Sequence, residues 1–509
     1  EFGADLMPPD LDRVEHIIEA AMARIPALAT GGVKSVINGP ITFTPDANPL
    51  IGPAHGLENA WLLTGSSMGV MEGGGAGWFL AQWMTHGAPP MDAMAVDSRR
   101  FGKWADRDYR VAKAVECFGL QFGVHYPHEE RPAARNIRQS PIHYLMLERG
   151  AVMGVAHGWE RPNWFSDQEG DAAELSFTRP NWFKHVRREC RTVSEAVALA
   201  DLSVFSKFRV TGPGTEGFLA ALGANKPPKP GRIGLTHALT PAGGVLSEFT
   251  VVRMGEDGAY LTSAAAAEEI DFDLLSRVAK DHDVDLRNVT EEIAVIGLMG
   301  PRAHKVLAHV CDNPIDFPWL THNEITIAGK PCLALRMSYI GEPGWELHVE
   351  AENAARVFLT LETAGTMHHI GYYGAFAANA MRLEKGYPAW GADLTTERSP
   401  LEAGLSAFVQ DSVALMRKDP WRLVLLEIVP GEVDPFYAHT VWQEDRVVGI
   451  VTSGAHGHRT GKTLAFAYLR DPSAREGLSV SLLGEHRAAV ILDEVPYDPG
   501  NLRLREKRN

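Results

Sequence analysis

The sequence contains few cysteines, and none of them is placed to form a familiar framework. Four cysteines occur in 509 residues, and they lie far apart, at positions 117, 190, 311 and 332. No two of them form a C-x-x-C pair, so the spacing indicates neither a zinc site nor a set of disulfides. A reducing compartment is the simplest interpretation.

Long hydrophobic runs and an excess of positive charge are also missing. No apolar stretch approaches the ~18 residues of a membrane helix, and residues 1–5 carry no basic region of a signal peptide. The net charge is −15, whereas phosphate binding needs clustered Lys and Arg. We therefore expect neither a membrane nor a nucleic acid as partner. Because the first residue is Glu1 rather than Met, we expect the chain to be a portion of a longer protein.

A dinucleotide cradle and a metal site are not indicated either. Residues 212–217 read G-x-G-x-x-G, but Pro213 removes one backbone N–H and no acid follows about 20 residues later, where the ribose partner belongs. A tight turn is the better interpretation. The histidine pairs at 456/458 and 368/369 have no third ligand nearby in the sequence, so we predict no metal.

The composition that is present is that of an ordinary folded protein, with 45% hydrophobic and 22% charged residues. A chain of this length predicts about two to four domains. Apolar residues spaced by three and four predict a helix over 10–27. Turns around one short strand are expected over 31–56, and a strand at 61–63 leads into a glycine-rich turn and a helix reaching Met84. Residues 97–190 show little periodicity and are interpreted as a connector, in which Arg-Pro-Asn-Trp-Phe occurs twice as a local turn.

From about residue 191 the pattern is that of an α+β domain. Alternation predicts three strands, around Phe208, over 245–252 and over 333–339, with a hairpin turn at Asp257. The remaining expected elements are helices over 353–365 and 375–385, and strands near 423–428, 447–451 and 478–483. The last three strands indicate a small closing β-domain.

The glycine-rich segment is the first candidate site. Residues 65–69, with the glycines at 73–77, predict a turn between a strand and a helix. Such a turn exposes backbone N–H groups at the positive end of the helix, which suits an anionic or electron-rich ligand. A tight turn with close helix packing explains the same residues equally well.

Two acids and a tyrosine form the second candidate site. On the strand 243–251, a period of two places Glu248 and Thr250 on one face, where a carboxylate is costly without a partner or a ligand. A lone acid of this kind is more often a surface residue. Farther on, Tyr339 could stack on a flat ring and Glu346 could accept from ring N–H donors. The alternative is a hairpin whose Trp345 belongs to the core.

The third candidate site is a pair of charged residues on a helix that is rich in small residues. Arg382 and Glu384 lie near the end of the helix predicted over 375–385. They are either site residues or a structural ion pair, and the ion pair is the favoured interpretation.

Taken together, several of these segments resemble the aminomethyltransferase (T-protein) of the glycine cleavage system. The resemblance covers about 190–500 and rests on residues 243–251, Tyr-Ile-Gly-Glu-Pro-Gly-Trp-Glu at 339–346, Met-Arg-Leu-Glu at 381–384, 400–404 and Thr-Ser-Gly at 452–454. A second resemblance, to the C-terminal end of the flavin domain of dimethylglycine and sarcosine dehydrogenases, rests on residues 38–46, 65–69, 73–74 and 158–165.

The resemblance implies a fold and an activity. The fold is α+β and multidomain, with a T-protein-like folate-binding fold, a C-terminal β-barrel domain and, before them, the tail of a DAO-type FAD-binding domain. The activity is an oxidative N-demethylation, as in glycine betaine catabolism and one-carbon metabolism. A flavin oxidises a small methylated amine, and tetrahydrofolate captures the product as 5,10-methylenetetrahydrofolate. The expected domains are 1–95 (flavin-domain tail), 96–190 (connector), 191–420 (folate-binding) and 421–509 (barrel).

The resemblance also implies roles for individual residues. Glu248 matches the acid beside the reactive folate nitrogens, although the family often has Asp there, and Thr250 is its neighbour. The other positions expected to bind a cofactor are Tyr339, Glu346 and Arg382 for folate, and Ser67, Met68 and Gly69 on the flavin side.

The family's Rossmann motif and flavin-linked His are not found in this sequence. We therefore expect FAD to be held only together with an FAD-binding N-terminal half, on the same or another chain. The expected location is the cytoplasm, or the mitochondrial matrix in a eukaryote. The alternatives are a stand-alone tetrahydrofolate-dependent demethylase or aminomethyltransferase, and a non-catalytic regulatory relative.

Overall fold

The N-terminal part consists of helices and a two-stranded antiparallel sheet. The structure, a computed structural model, describes residues 5–410, 421–471 and 473–505. The first elements are α1 (Glu15–Arg24), β1 (Leu50–Pro53), β2 (Trp61–Thr64) and α2 (Gly69–His86). Phe79 and Trp83 of α2 pack on Ile51 of β1 in a small apolar cluster. Within the described residues, no helix is both long and apolar enough to cross a membrane.

Two expectations for this part are corrected by the structure. The glycines at 73–77 lie inside α2, which begins at Gly69, and not in the turn before it. The helix predicted over 10–27 is shorter, and α1 buries none of its residues. The apolar spacing that predicts this helix therefore describes a face that nothing in the described chain covers.

The segment 97–190 has more regular structure than its weak periodicity predicts. It contains α3 (Arg107–Gly119), α4 (His143–Glu148), β3 (Ala151–Ala156), β4 (Trp159–Phe165) and α5 (Phe183–Glu195). The turn between β3 and β4 places His157 and Gly158 at positive φ, as a two-residue hairpin requires. The first Arg-Pro-Asn-Trp-Phe lies within β4 rather than in a turn. Its Trp164 and the second copy's Trp182 are buried in one apolar cluster.

Two antiparallel-dominated sheets form the next part of the chain. Its elements are β5 (Val197–Asp201), β6 (Ser206–Thr211), α6 (Thr215–Leu222), β7 (Ile233–Leu239), β8 (Val245–Gly255), β9 (Gly258–Ser263), α7 (Glu268–Ala279), β10 (Asp285–Asn288), β11 (Ile293–Met299), α8 (Ala303–Val310), β12 (His322–Ile327), β13 (Lys330–Leu335), β14 (Gly344–Glu350), α9 (Ala354–Gly365), β15 (Ile370–Tyr372) and α10 (Ala375–Glu384). One sheet has the order β10-β6-β9-β8-β7, and the other has the order β12-β13-β14-β11-β5-β15. The largest apolar core lies on the six-stranded sheet.

The third predicted strand of this part is shorter than its alternation indicates. β13 ends at Leu335, so Met337 and Tyr339 lie outside it. Arg336 still bonds to Thr321 and Leu320 before β12, and the amide of Met337 then folds back onto the carbonyl of Leu335 at 3.0 Å, which ends the extended backbone. Tyr339 is therefore carried by a loop between β13 and β14, and not by a strand.

The C-terminal part is a closed barrel. Its elements are β16 (Arg422–Ile428), β17 (Thr440–Gln443), β18 (Arg446–Gly457), β19 (Lys462–Leu469), β20 (Leu478–Leu482), β21 (Glu485–Ile491) and a short helix, α11 (Leu502–Arg505). The strands close in the order β16-β19-β18-β17-β20-β21 around an apolar core. The expected domain boundary at 420/421 adjoins residues 411–420, which lie outside the described residues.

Candidate functional site

A cavity of about 260 Å³ lies on the six-stranded sheet beside α10. β5, β11 and β14 contribute its floor, and the loop before β14 contributes its rim. Its lining includes three of the predicted site residues, together with other polar and aromatic side chains: Asp201, Phe205, Tyr339, Glu346, Asn379 and Arg382. A concave site with a few converging polar groups is the usual form of a small-molecule site, although typical pockets span about 300–1,000 Å³.

Small residues keep the floor of the cavity open. Ala200, Gly297 and Glu346 form one cross-strand row on β5, β11 and β14. A Cβ added to Gly297 would lie 3.3 Å from the hydroxyl of Tyr373 and 3.1 Å from Leu202. The missing side chain therefore leaves room for the Tyr373 hydroxyl on the face of the sheet that also carries Glu346.

Tyr339 stands at the rim of the cavity. Its hydroxyl donates to the carbonyl of Pro388 at 3.4 Å, and its ring stacks on Tyr387 with centroids 6.2 Å apart. Burial raises the pKa of Tyr339; Arg382 opposes this rise, and the negative charge of Glu248 adds to it. The phenol is therefore neutral at physiological pH, and Glu248 lies within electrostatic reach of the cavity rim.

Glu248 lies on β8 directly opposite His237 of β7. One carboxylate oxygen is 2.8 Å from Nε2 of His237, which is fully buried, while the Glu248 side chain keeps 21% of its surface exposed. The predicted alternation is confirmed, because Leu246, Glu248 and Thr250 are all half-buried between buried neighbours. Neither Glu248 nor Thr250 is among the described residues that line the cavity.

Gly244, just before this strand, makes a close backbone contact with the loop 389–398, which the sequence does not predict. A Cβ on Gly244 would lie 1.8 Å from the carbonyl oxygen of Thr396. The amide of Val245 donates to the carbonyls of Thr395 and Arg398 at 3.1 and 2.9 Å. The indole N–H of Trp390 donates to the carbonyl of Leu246 at 3.2 Å. The loop 389–398 therefore rests on the strand that carries Glu248.

The predicted ion pair between Arg382 and Glu384 is wrong. Residues two apart on a helix point in different directions, so they cannot face each other. The Arg382 guanidinium, which is buried, instead donates to Asp393 at 2.6 Å and to the side-chain carbonyl of Asn379. Glu384 accepts from Arg459 of the barrel at 2.6 Å. Arg382 still lines the cavity, but its donors are largely engaged by the protein.

Two buried acids that the sequence did not single out join the barrel to the cavity wall. Asp393 accepts from Arg382 and from the hydroxyls of Thr452 and Ser453, which explains the Thr-Ser-Gly segment on β18. Glu342 accepts from Arg459 at 3.1 Å and from Arg503 at 2.8 Å. A Gly-Glu-Pro-Gly sequence predicts an exposed turn, but in the structure its acid, Glu342, is fully buried.

Ser67, Met68 and Gly69 lie elsewhere, at the start of α2. Met68 is the residue before the first helical turn. The next residues, Val70 and Met71, are almost fully exposed. A Cβ added to Gly73, Gly74, Gly75 or Gly77 would meet nothing within 4 Å. This glycine-lined end of the helix is therefore an open surface in the described chain, and it is separate from the cavity.

The chain belongs to the family of the GCVT N-terminal domain, whose family model matches residues 142–412. The glycine cleavage T-protein C-terminal barrel domain matches residues 422–498. Residues 1–83 match the FAD dependent oxidoreductase domain, and residues 86–140 match the central domain of the same oxidoreductases. The class is thus a T-protein fold joined to part of a flavin-dependent oxidoreductase.

The proteins similar to this chain include two dehydrogenases of methylated glycines. Mouse dimethylglycine dehydrogenase is 36% identical over 99% of this chain, and mouse sarcosine dehydrogenase is 31% identical over 99% of it. The chain spans 61% and 62% of the lengths of these two relatives. The crystal structure of aminomethyltransferase T from Bartonella henselae aligns with a TM-score of 0.62 and 20% identity, over 73% of this chain and 99% of that one.

These findings confirm the predicted resemblance and the predicted fold class. The T-protein fold, the C-terminal barrel and the preceding piece of a flavin domain are all present. The predicted class of enzyme, with FAD and tetrahydrofolate as its cofactors, agrees with these domains and with the dehydrogenase relatives.

Proposed function

We propose that this chain is the folate-binding portion of an oxidative N-demethylase that acts on a small methylated amine. FAD supplies the oxidation of the N-methyl group, and tetrahydrofolate accepts the one-carbon unit to give 5,10-methylenetetrahydrofolate. The match of residues 1–83 to a flavin domain favours this function over a stand-alone folate-dependent transferase, which has no use for such a segment. We propose the cytoplasm as its location, or the mitochondrial matrix in a eukaryote.

The observation that carries the proposal is the donor and acceptor character of the cavity. Glu346 faces the cavity, and among the described residues no side chain or amide within ordinary hydrogen-bond distance uses its carboxylate. An unclaimed acceptor beside aromatic walls fits a flat ring that carries adjacent N–H groups, as a pterin does. Tyr339 and Phe205 supply the aromatic surface. Arg382 supports the wall through Asp393 and Asn379.

Glu248 is the residue proposed to act on the reaction. Its carboxylate is fixed by His237 at one oxygen and stays partly accessible, and its charge acts on Tyr339 at the cavity rim. At this place it can accept a proton, directly or through water, or stabilise a positive charge on a neighbouring nitrogen. Thr250 follows on the same face and supports this environment.

The exposed surface around α2 is proposed to receive the FAD-binding part of the enzyme, on the same or another chain. Val70 and Met71 project from the first turn, and the glycines behind them allow a second backbone to approach closely. Two large apolar side chains side by side in solvent are typical of a surface that a partner covers. Ser67, Met68 and Gly69 then lie at the flavin side of the contact. Met71→Asp should lower the flavin content of the purified enzyme and leave folate affinity unchanged.

The experiment that tests the function is titration of the full chain with tetrahydrofolate by calorimetry, followed by a rate measurement on Glu248→Gln. We expect the variant to keep the fold and most of the folate affinity. In the enzyme with its flavin-binding part, the rate of methylenetetrahydrofolate formation should fall by about 10²-fold, the scale of a lost acid or base. Flavin reduction by the amine should not change.

Two outcomes would contradict the proposal. If millimolar tetrahydrofolate produces neither heat nor a thermal shift in the wild-type chain, the cavity is not a folate site. If Glu248→Gln lowers the melting temperature and weakens both half-reactions equally, Glu248 is a structural partner of His237. The matched variant is Glu427→Gln, which removes a strand acid of the barrel that pairs with Lys462 and should change neither rate.

A further inference from the structure

Behind the cavity, a buried tyrosine and histidine lead to the carboxylate of Glu346. Glu346 and His348 are two residues apart on β14, so their side chains share one face of the sheet. His348 keeps 3% of its surface exposed, and its Nδ1 is 3.0 Å from the hydroxyl of Tyr260. Its other ring nitrogen, Nε2, is 3.6 Å from a carboxylate oxygen of Glu346. Tyr260 belongs to β9, so the contact joins the two sheets.

The arrangement selects one tautomer of His348. Burial lowers the pKa of His348, so the ring is neutral and carries a single N–H. A proton on Nδ1 would leave the Nε2 lone pair facing a carboxylate, which is unfavourable. A proton on Nε2 lets the hydroxyl of Tyr260 donate to Nδ1 and directs the N–H at Glu346. Burial also raises the pKa of Tyr260, which keeps its hydroxyl protonated as that donor.

The last step of this chain is open in the described structure. The 3.6 Å separation from Glu346 is longer than a hydrogen bond. Among the described residues, Nε2 of His348 has no hydrogen-bond partner, although it is buried. A buried N–H without a partner is unfavourable, and a shift of the carboxylate by well under 1 Å would satisfy it. The free oxygen of Glu346 would then stay directed into the cavity.

We propose that Tyr260 and His348 are positioning residues, which orient the Glu346 carboxylate to accept from the paired N–H donors of a bound pterin ring. This inference rests on the proposed folate site. In this arrangement Tyr260 donates to His348, and His348 donates to the carboxylate of Glu346. The oxygen nearest His348 accepts from its Nε2–H with one lone pair, and both oxygens keep a lone pair for the paired donors of the ligand.

The other neighbours of Glu346 and His348 agree with this assignment. Opposite Glu346, Gly297 leaves room for the Tyr373 hydroxyl. Burial raises the pKa of Tyr373, and the charge of Glu346 raises it further. The buried ammonium group of Lys207 lies within electrostatic reach of His348, but it donates to the carbonyl of Ser203 at 2.7 Å. Lys207 therefore does not replace His348 as the donor to Glu346.

The test is a double-mutant cycle on the full chain, with 5-formyltetrahydrofolate as the probe and calorimetry as the measurement. Tyr260→Phe removes one hydroxyl and keeps the ring that packs between the sheets. We expect it to weaken binding about fivefold, as for one lost hydrogen bond. Glu346→Gln should weaken binding more. Because Tyr260 acts through Glu346, adding Tyr260→Phe to Glu346→Gln should cause no further loss.

A histidine series and a matched control complete the test. His348→Gln keeps an N–H donor and should retain more affinity than His348→Leu, which is an outcome that packing alone does not predict. Tyr372→Phe is the control. Tyr372 lies on β15, at the edge of the same sheet, and its hydroxyl bonds to a different acid, Glu362. This substitution should leave the affinity unchanged.

The outcomes separate this inference from the proposed function. Wild-type protein that binds no folate overturns both. Wild-type binding with additive losses in the cycle, or with no loss in Tyr260→Phe, overturns the positioning role and leaves the folate site intact. If Tyr260→Phe does not fold, the comparison of His348→Gln with His348→Leu decides the question.

Discussion

Asp271 is a buried carboxyl group whose ionisation should destabilise the protein. It lies on α7 with no exposed surface, behind the strand that carries Glu248. The hydroxyls of Ser247 and Ser263 lie beside it and partly stabilise its charge, but within the described residues neither carboxyl oxygen makes a hydrogen bond of ordinary geometry. Burial raises the pKa of Asp271 from 3.8 to about 7. The folded state therefore holds a proton that the unfolded state releases.

The sign and size of the effect follow from these two pKa values. Because the folded pKa is raised, the contribution of the neutral form to stability is complete below about pH 4 and is lost as the pH rises through 7. The whole difference corresponds to about 4 kcal/mol, of which about 3 kcal/mol is lost between pH 5 and pH 8. Asp271→Asn stays neutral at every pH, so it should be spared this loss.

The assay is urea unfolding of wild type and Asp271→Asn at pH 5 and pH 8, with hydrogen exchange used to follow α7 specifically. The free energy of unfolding of Asp271→Asn, relative to that of the wild type, should increase as the pH rises. Asp273→Asn serves as the control, because it breaks the ion pairs with Arg99 and Arg277 and should destabilise α7 at both pH values. An identical pH dependence for wild type and Asp271→Asn would show that the carboxyl is not neutral in the folded state.

Two further substitutions test the cavity and the barrel contact. Gly297→Val should place its methyl groups against the Tyr373 hydroxyl, on the face of the sheet that carries Glu346, so folate affinity measured by calorimetry should fall at least about tenfold; unchanged affinity would mean that the ligand lies elsewhere. Glu342→Gln should destabilise the protein by about 3 kcal/mol, because Arg459 and Arg503 lose a buried charged partner. Scanning calorimetry checks this, and an unaltered barrel transition would contradict it.

Strands that alternate between a buried and a half-buried face, such as β8, could be predicted, whereas β5 and β11 are buried along their whole length and show no alternation. The alternation around Glu248 survives in the structure, since Val245, Ser247 and Phe249 face the core. The period of two fails at Tyr339, because the amide of Met337 folds back onto the carbonyl of Leu335 and ends the strand early. No local pattern contains that information.

The candidate site could be predicted in part. Tyr339, Glu346 and Arg382 share a cavity because strands and a helix distant in sequence meet there. The partners of Arg382 and Glu248, which are Asp393 and His237, could not be predicted, since they are defined by contacts across loops and sheets. The glycines of α2 predict a turn because glycine has a low helix propensity, yet the structure forms a helix there.

The shared carboxylate of Asp393 has a consequence for how this protein is divided into modules. The same side chain fixes Arg382 at the cavity wall and accepts the hydroxyls of Thr452 and Ser453 on the barrel. The cavity wall and the attachment of the barrel therefore share one residue, and the free energy by which cavity occupancy affects barrel attachment equals that by which barrel attachment affects occupancy. The cooperative unit crosses the boundary between two sequence families, so neither module can be exchanged in evolution or in a chimera without retuning the other.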